Sequence, residues 1–145
     1  MRKTTVVRLL VIFFLTTASL TEAQQAKKIP VIGYLSRDLH PADSRAPAPR
    51  NLEAFRECLR QLGYIEGKNI IIEYRYSDGR PERMSALVDE LIRLNVALIV
   101  ADSYAAARSA KEKTNTIPII MASGIDPTAT GLAASLARSG GNVTG

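Results

Sequence analysis

The sequence is poor in the residue types that build disulfides, metal sites and thiol-based catalytic centres. It has one cysteine, Cys58, so no internal disulfide can form, and one histidine, His40. No His or Cys partners stand at metal-ligand spacing, which argues against a structural zinc site. Cys58 lies at the edge of an apolar helical face, and we expect it to be a small, half-buried structural thiol.

The glycine loops and nucleophile motifs of common α/β enzymes are also missing. After the first predicted strand the sequence reads GYLS at 33–36 rather than G-x-G-x-x-G, and no Walker-type loop occurs. No nucleophile elbow is present, and His40 in a pliable loop cannot complete a Ser/His/Asp triad. The sequence therefore predicts no enzyme and no cofactor. A Rossmann-type or flavodoxin-like enzyme is kept as an alternative.

Positive charge is spread too thinly to indicate a nucleic-acid partner. The net charge is +5 at pH 7, but residues 1–23 hold three basic residues and one acidic residue, so the remainder carries +3. No run of Lys and Arg with interleaved aromatic residues follows residue 30. We expect no nucleic-acid binding.

The first 23 residues have the pattern of a secretory signal peptide. Basic residues at 2, 3 and 8 precede an unbroken apolar run at 9–15, and TEA at 21–23 offers small residues at the two positions that signal peptidase reads. The apolar run is shorter than the ~20 residues of a membrane-spanning helix. We expect cleavage after Ala23 and a periplasmic product. No cysteine directly follows the run, so we expect no lipid anchor.

The rest of the chain alternates strand and helix patterns. The predicted strands are residues 29–36, 70–76, 96–101 and 117–123, and the predicted helices are 51–62, the segment that Pro81 begins, 103–114 and 128–137. Residues 37–50 contain three prolines and are predicted to form a loop. The alternation predicts an α/β fold with a parallel Rossmann-like sheet flanked by helices, in the order 2-1-3-4.

In such a sheet, ligands bind beyond the carboxyl ends of the strands, at the switch point between strands one and three. The predicted ligand-binding residues there are Ser36, Arg37, Asp102, Ser103, Ser123 and Asp126. Helices starting near Ser103 and Pro127 would direct their N-termini to the same place, which favours an anion such as a carboxylate. Asp102, Ser103 and Asp126 have an alternative interpretation as helix caps.

Six segments form one continuous pattern that resembles a known family. They are IPVIGYLS (29–36), LEAFRECLRQLGY (52–64), EGKNIIIEYR (66–75), ALIVA (97–101), TIPIIM (116–121) and DPTATGLAASLARSGGNVTG (126–145), of which the last is the most specific. Together they resemble the ABC transporter substrate-binding family that includes the tryptophan/tyrosine-type periplasmic binding proteins.

The resemblance implies a type I periplasmic-binding-protein fold, whose two Rossmann-like lobes close on a ligand. Residues 24–145 would form its N-terminal lobe, and the second lobe is absent from this sequence. The implied ligand is a small polar or aromatic amino-acid-like molecule. The implied partners are an ABC permease and an ATPase, with membrane contact only through the permease. A truncated, non-functional lobe is kept as an alternative.

Two stretches depart from the family pattern. Residues 37–40 (RDLH) stand where members often have small Ser or Gly residues, and residues 102–104 (DSY) stand where they often have Gly/Thr-rich turns. Both stretches lie at the predicted site, so the identity of the ligand does not carry over.

Overall fold

The computed structural model describes residues 28–41, 49–124, 126, 128–132 and 141–145. Within these ranges the elements are β1 (Val31–Ser36), α1 (Arg50–Gln61), β2 (Ile71–Tyr76), α2 (Pro81–Arg93), β3 (Leu98–Ala101), α3 (Tyr104–Lys113), β4 (Ile119–Met121) and β5 (Val143–Thr144). All neighbouring strands are parallel and the order is β2-β1-β3-β4-β5. The predicted order 2-1-3-4 is confirmed, and β5 extends it.

Each face of the sheet carries its own apolar core, because successive side chains of a strand point to opposite sides. On one face Ile32, Tyr34 and Val100 pack with Leu52 of α1. On the other face Leu35, Ile99 and Ile119 pack with residues of α2 and α3. Burial of both faces explains why the strands read as near-continuous apolar runs rather than as alternating ones.

Helix α2 comes unusually close to β1 because Gly33 has no side chain. A Cβ at Gly33 would lie 2.8 Å from Cδ1 of Leu91. Leu91 is fully buried together with Val88, and both belong to the face of α2 that points into this core. Burying one such side chain stabilises the fold by roughly 1.5–3 kcal/mol, so the glycine contributes through the packing that it permits.

The helix ends follow the sequence signals. Gly63 has φ +83° and ends α1, with its N–H donating to the carbonyl of Arg60 at 3.0 Å. Pro81 begins α2 as predicted. Ser103 is the N-cap of α3, where its side chain accepts a hydrogen bond from the Ala106 N–H at 3.3 Å. This hydrogen bond shows that Ser103 caps the helix, which is one of the two interpretations that the sequence left open for it.

Strand β5 forms because Asn142 anchors the chain beside β4. The Asn142 side-chain amide donates to the carbonyls of Thr114 and Ile117, at 2.9 and 2.8 Å. Its own carbonyl accepts from the Ile119 N–H at 2.7 Å, and Val143 next to it is buried. The side-chain hydrogen bonds that fix β5 join residues more than 20 positions apart, so no local sequence pattern predicts this strand.

Two sequence predictions are wrong. Residues 128–132 form turns rather than the start of a helix over 128–137, because Gly131 has φ +72° and Asp126 bonds locally to Thr128. The residues from 133 to 137 lie outside the described ranges. Cys58 is exposed rather than half-buried, because α1 buries a narrow stripe in which Leu52 is enclosed and Phe55 and Leu59 are partly covered.

The predicted signal peptide (1–23) and residues 42–48 of the predicted loop also lie outside the described residues. In the part of the chain that the structure describes, no helix is long and apolar enough to cross a membrane.

Candidate functional site

The strand register places Ser36 beside Asp102 at the carboxyl edge of the sheet. Leu35 is paired with Ala101, and the next residue on each strand is Ser36 and Asp102. The Asp102 N–H donates to the Leu35 carbonyl at 3.2 Å, and the Ser36 hydroxyl donates to Oδ2 of Asp102. Since β2 lies on one side of β1 and β3 on the other, this pair sits at the topological switch point.

Asp102 is half-buried, and among the described residues only neutral groups hydrogen-bond to it. Besides the Ser36 hydroxyl, the Arg37 backbone N–H donates to Oδ1 at a long 3.4 Å. Burial raises the pKa of the Asp102 carboxyl above its usual range, hydrogen bonds from Ser36 and Ser103 partly offset this, and the charge of Asp38 raises the pKa further. The site therefore holds a carboxylate in an environment that disfavours its charge.

An open cleft lies above this pair, and we call it the switch-point cleft. Its volume is about 450 Å³. The residues that line it are Arg37, Asp38, Asn51, Asp102, Ser103, Tyr104, Ala105, Ser123 and Gly124. The Ser123 Oγ is buried and has no hydrogen-bond partner among the described residues. An unsatisfied buried hydroxyl is costly, so a ligand atom that bonded to it would recover free energy.

A second cleft of about 410 Å³ adjoins the first, and we call it the Leu39 cleft. It shares Arg37, Asp38 and Ala105 with the switch-point cleft, and its other lining residues are Leu39, Ser77, Gly79, Pro81 and Met84. Leu39 is more than half exposed at its wall. The two clefts together form a depression with a polar part and a more apolar part.

The loop between the clefts is held by the neighbouring β2–α2 turn. The Gly79 N–H donates to the Arg37 carbonyl at 2.8 Å, and the Asp78 N–H donates to the Asp38 carbonyl at 3.1 Å. Ser77, fully buried, donates a third bond from its hydroxyl to the Arg37 carbonyl at 3.3 Å. These bonds fix the backbone of residues 37 and 38, while their charged side chains form no ion pair with the described residues.

The structure brings together four of the six predicted site residues. Arg37, Asp102, Ser103 and Ser123 line the switch-point cleft. Ser36 is buried beneath it and contacts Asp102 instead.

Asp126 does not line the switch-point cleft. It is exposed, and its carboxylate accepts bonds from the Thr128 N–H and hydroxyl at 2.8 and 2.6 Å. These bonds lower its pKa. Asp126 thus fits its alternative interpretation as a local cap, here of a turn.

Five lining residues are not among the six predicted ones: Asp38, Asn51, Tyr104, Ala105 and Gly124. Asp38 and Gly124 directly follow the predicted residues Arg37 and Ser123, at the same strand ends. Tyr104 begins α3 directly after the predicted pair Asp102 and Ser103. Asn51 reaches the cleft from the first turn of α1, and no local pattern marks that position as facing the site.

Comparisons with known proteins agree with this fold. Residues 46–145 match the family described as ABC transporter substrate binding protein. The chain belongs to this family. A curated relative, a tyrosine-binding protein of Clostridioides difficile (strain R20291), is 32% identical over 120 residues, which cover 83% of this chain and 33% of that protein.

Solved structures of similar proteins support the same assignment. A conserved domain protein from Vibrio cholerae matches with a TM-score of 0.66 and 28% identity, over 81% of this chain and 38% of that one. An ABC domain from Streptococcus pneumonia, solved in complex with L-Trp, matches with a TM-score of 0.66 and 27% identity, over 80% of this chain and 37% of that one. The chain has the fold of the first lobe of a type I periplasmic binding protein, and it spans little more than a third of the length of these relatives.

Metal chemistry finds no support in the described ranges. No group of three or more His, Cys, Asp or Glu residues there is arranged to hold a metal ion. The cleft instead presents carboxylates, hydroxyls, an amide and a guanidinium, which suit hydrogen bonding to a small polar molecule.

Proposed function

We propose that this chain provides the N-terminal lobe of an extracytoplasmic solute-binding protein of an ABC-type uptake system. Its ligand is a small polar or aromatic amino-acid-like molecule, and it performs no catalysis. The observation that carries the proposal is the switch-point cleft, in which Arg37, Asp102, Ser103 and Ser123 meet at the carboxyl ends of β1, β3 and β4. Membership of the substrate-binding family supports it.

The size and openness of the cleft support a binding role. Small-molecule sites commonly have volumes of roughly 300–1000 Å³ and enclose most of the ligand. The switch-point cleft, at about 450 Å³, falls in this range but is open to solvent on one side. A second lobe that closes over it would provide the missing enclosure, as the two-lobed type I fold implies.

The names of relatives support an aromatic amino acid as the ligand. One relative is called a tyrosine-binding protein, and one similar structure contains L-Trp. The adjoining Leu39 cleft, with Leu39, Pro81 and Met84 in its walls, gives an apolar side chain a place to lie beside the polar cleft. L-Tyrosine and L-tryptophan are therefore the first ligands to test.

The proposed context is an uptake system outside the cytoplasm. The signal-peptide pattern of residues 1–23 supports export, and family membership supports work with an ABC permease and an ATPase. The protein would contact the membrane only through the permease. Cell fractionation followed by N-terminal sequencing tests export: we expect a periplasmic product that begins at Gln24, and an unprocessed cytoplasmic product would contradict it.

Isothermal titration calorimetry of the purified protein with L-tyrosine and L-tryptophan tests binding. We expect saturable binding that Arg37→Ala weakens several-fold, because Arg37 lines both clefts and has no ion pair to lose among the described residues. Arg93→Ala is the matched control, since Arg93 is exposed at the end of α2, outside both clefts. Absence of binding to either amino acid would favour the alternative of a non-functional lobe.

A further inference from the structure

Asp102 is a charged group that forms no ion pair with a cationic side chain among the described residues. Its carboxylate oxygens accept bonds from the Ser36 hydroxyl and the Arg37 N–H, and no described Lys, Arg or His pairs with it. Carboxylates that are withdrawn from water in proteins are normally paired with a cation. The structure thus leaves one half-buried carboxylate, facing a cleft, without its usual counter-ion.

A second carboxylate in the same cleft adds to this uncompensated negative charge. Asp38 also lines the switch-point cleft, and its charge acts unfavourably on Asp102. The guanidinium of Arg37 belongs to the same loop but forms no ion pair with either Asp38 or Asp102. The lining residues therefore carry a net negative charge next to a partly buried anion.

Helix capping does not account for Asp102. Ser103 is the residue that accepts the bond from the Ala106 N–H at the start of α3. The Asp102 side chain turns instead to the end of β1, where Ser36 donates to it. Its charge also lies at the positive end of the α3 dipole. This end is therefore already neutralised, which removes the reason to expect an anionic group of a ligand there.

The unpartnered hydroxyl of Ser123 provides an independent sign of a ligand. It follows β4, lines the same cleft, and its oxygen is buried without a hydrogen-bond partner among the described residues. A hydroxyl oxygen can accept a hydrogen bond from an N–H group, as a carboxylate does. Asp102 and Ser123 thus line the same cleft, and both side chains carry oxygen atoms that can accept hydrogen bonds.

We propose that Asp102 is the specificity-determining residue of the switch-point cleft and that it selects ligands carrying a cationic nitrogen, an ammonium or a guanidinium group. The cation pairs with the Asp102 carboxylate and donates a further hydrogen bond to Ser123, while Ser36 holds Asp102 in position. This assignment rests on the proposed binding function and specifies the chemical class of the ligand. It replaces the anionic group that the helix N-termini suggested with a cationic one.

Three probes that share an indole ring test the proposal. L-Tryptophan has an ammonium and a carboxylate, tryptamine has only the amine, and indole-3-propionate has only the carboxylate. Calorimetric titration of the purified protein should give tryptamine an affinity within about tenfold of L-tryptophan. Indole-3-propionate should bind at least tenfold more weakly than tryptamine, because the cleft lining sets two carboxylates against one guanidinium and so repels an anion.

The Asp102→Asn variant completes the test. The amide keeps the shape of the side chain but removes the charge, so we expect the preference for tryptamine over indole-3-propionate to disappear. Circular dichroism checks folding, and Asp89→Asn is the matched control because Asp89 pairs with Lys113 on the surface between α2 and α3. The control should keep the preference.

The outcomes separate this proposal from the proposed function. Binding of indole-3-propionate as tight as that of tryptamine, or an unchanged preference in Asp102→Asn, overturns the assignment of Asp102 while the binding function stands. If the wild-type protein binds none of the three probes, both the binding of aromatic amino acids and the role of Asp102 are contradicted.

Discussion

The hydroxyl of Ser36 donates a hydrogen bond to the carboxylate of Asp102 and thereby joins the ends of β1 and β3 at the switch point. Ser36 also accepts a bond from the Asp38 N–H at 3.0 Å. One buried serine therefore connects an acidic side chain of the cleft with the loop that bears another. The residue does not line the cleft, yet its position determines where Asp102 points.

Ser36→Ala should weaken ligand binding without unfolding the protein. The change removes one hydrogen bond to Asp102 and one from the Asp38 N–H, and we expect a loss of about 1 kcal/mol per bond in the free energy of unfolding. Ligand affinity should fall several-fold because the carboxylate is no longer held. Urea denaturation and calorimetric titration measure the two effects. Ser85→Ala, at an exposed position of α2, serves as control, and an affinity equal to wild type in Ser36→Ala would remove Ser36 from the account.

Asp102→Asn should raise the thermal stability, and more at pH 7 than at pH 4. The pKa of Asp102 is raised in the folded state, so the folded protein binds a proton at this carboxyl group more tightly than the unfolded chain does. The stability contributed by the group is present at low pH and is lost as the pH rises through the folded pKa. Asparagine does not ionise, so the variant does not lose this stability as the pH rises. Melting curves at both pH values check the sign; a lower Tm of the variant at pH 7 would show that the carboxylate stabilises the fold.

Gly33→Ala should destabilise the protein without touching either cleft. The new methyl group would meet Leu91 at 2.8 Å and push α2 away from β1, at a cost of about 1–3 kcal/mol in the free energy of unfolding. Gly124→Ala is the matched control for stability alone, because a Cβ there meets no described atom within 4 Å and its φ is not positive. Chemical denaturation of both variants measures the difference, and equal midpoints would mean that the approach of α2 to β1 is not close.

Ser123→Ala should separate binding from stability. Its hydroxyl has no partner among the described residues, so its removal breaks no bond in the ligand-free protein, and the Tm should stay the same or rise slightly. Ligand affinity should fall, by about 0.5–1.5 kcal/mol if one hydrogen bond to the ligand is lost. Thermal melts with and without L-tryptophan show both effects. A clear drop in Tm without ligand would indicate an internal role for the hydroxyl.

The elements that the sequence predicts well are those whose signals are local. The helices predicted at 51–62 and 103–114 appear as α1 and α3 with each end shifted by one residue, and Pro81 begins α2 as expected. The strand order was predicted because 2-1-3-4 is a common order for a sheet of this kind, and the structure has it. The turns at 128–132 were missed because the helical spacing of apolar residues there competes with the positive φ of Gly131.

The site was predictable in outline but not in the division of roles. Polar residues at the carboxyl ends of strands pointed to Asp102, Ser103 and Ser123, and these do line one cleft. The sequence could not tell that Ser36 lies buried under that cleft, because its role depends on the register between β1 and β3. Nor could it show that Asn51 reaches the site, since this depends on how α1 packs across the sheet.

The most direct test of the central claim is an NMR titration of the ¹⁵N-labelled protein with L-tryptophan. If the switch-point cleft is the binding site, the largest amide shifts should fall on residues 37–38, 102–105 and 123–124, with little change near the opposite end of the sheet. Shifts that concentrate instead on the surface around residues 111–117, where another open cavity lies at the C-terminal end of α3, would contradict the claim.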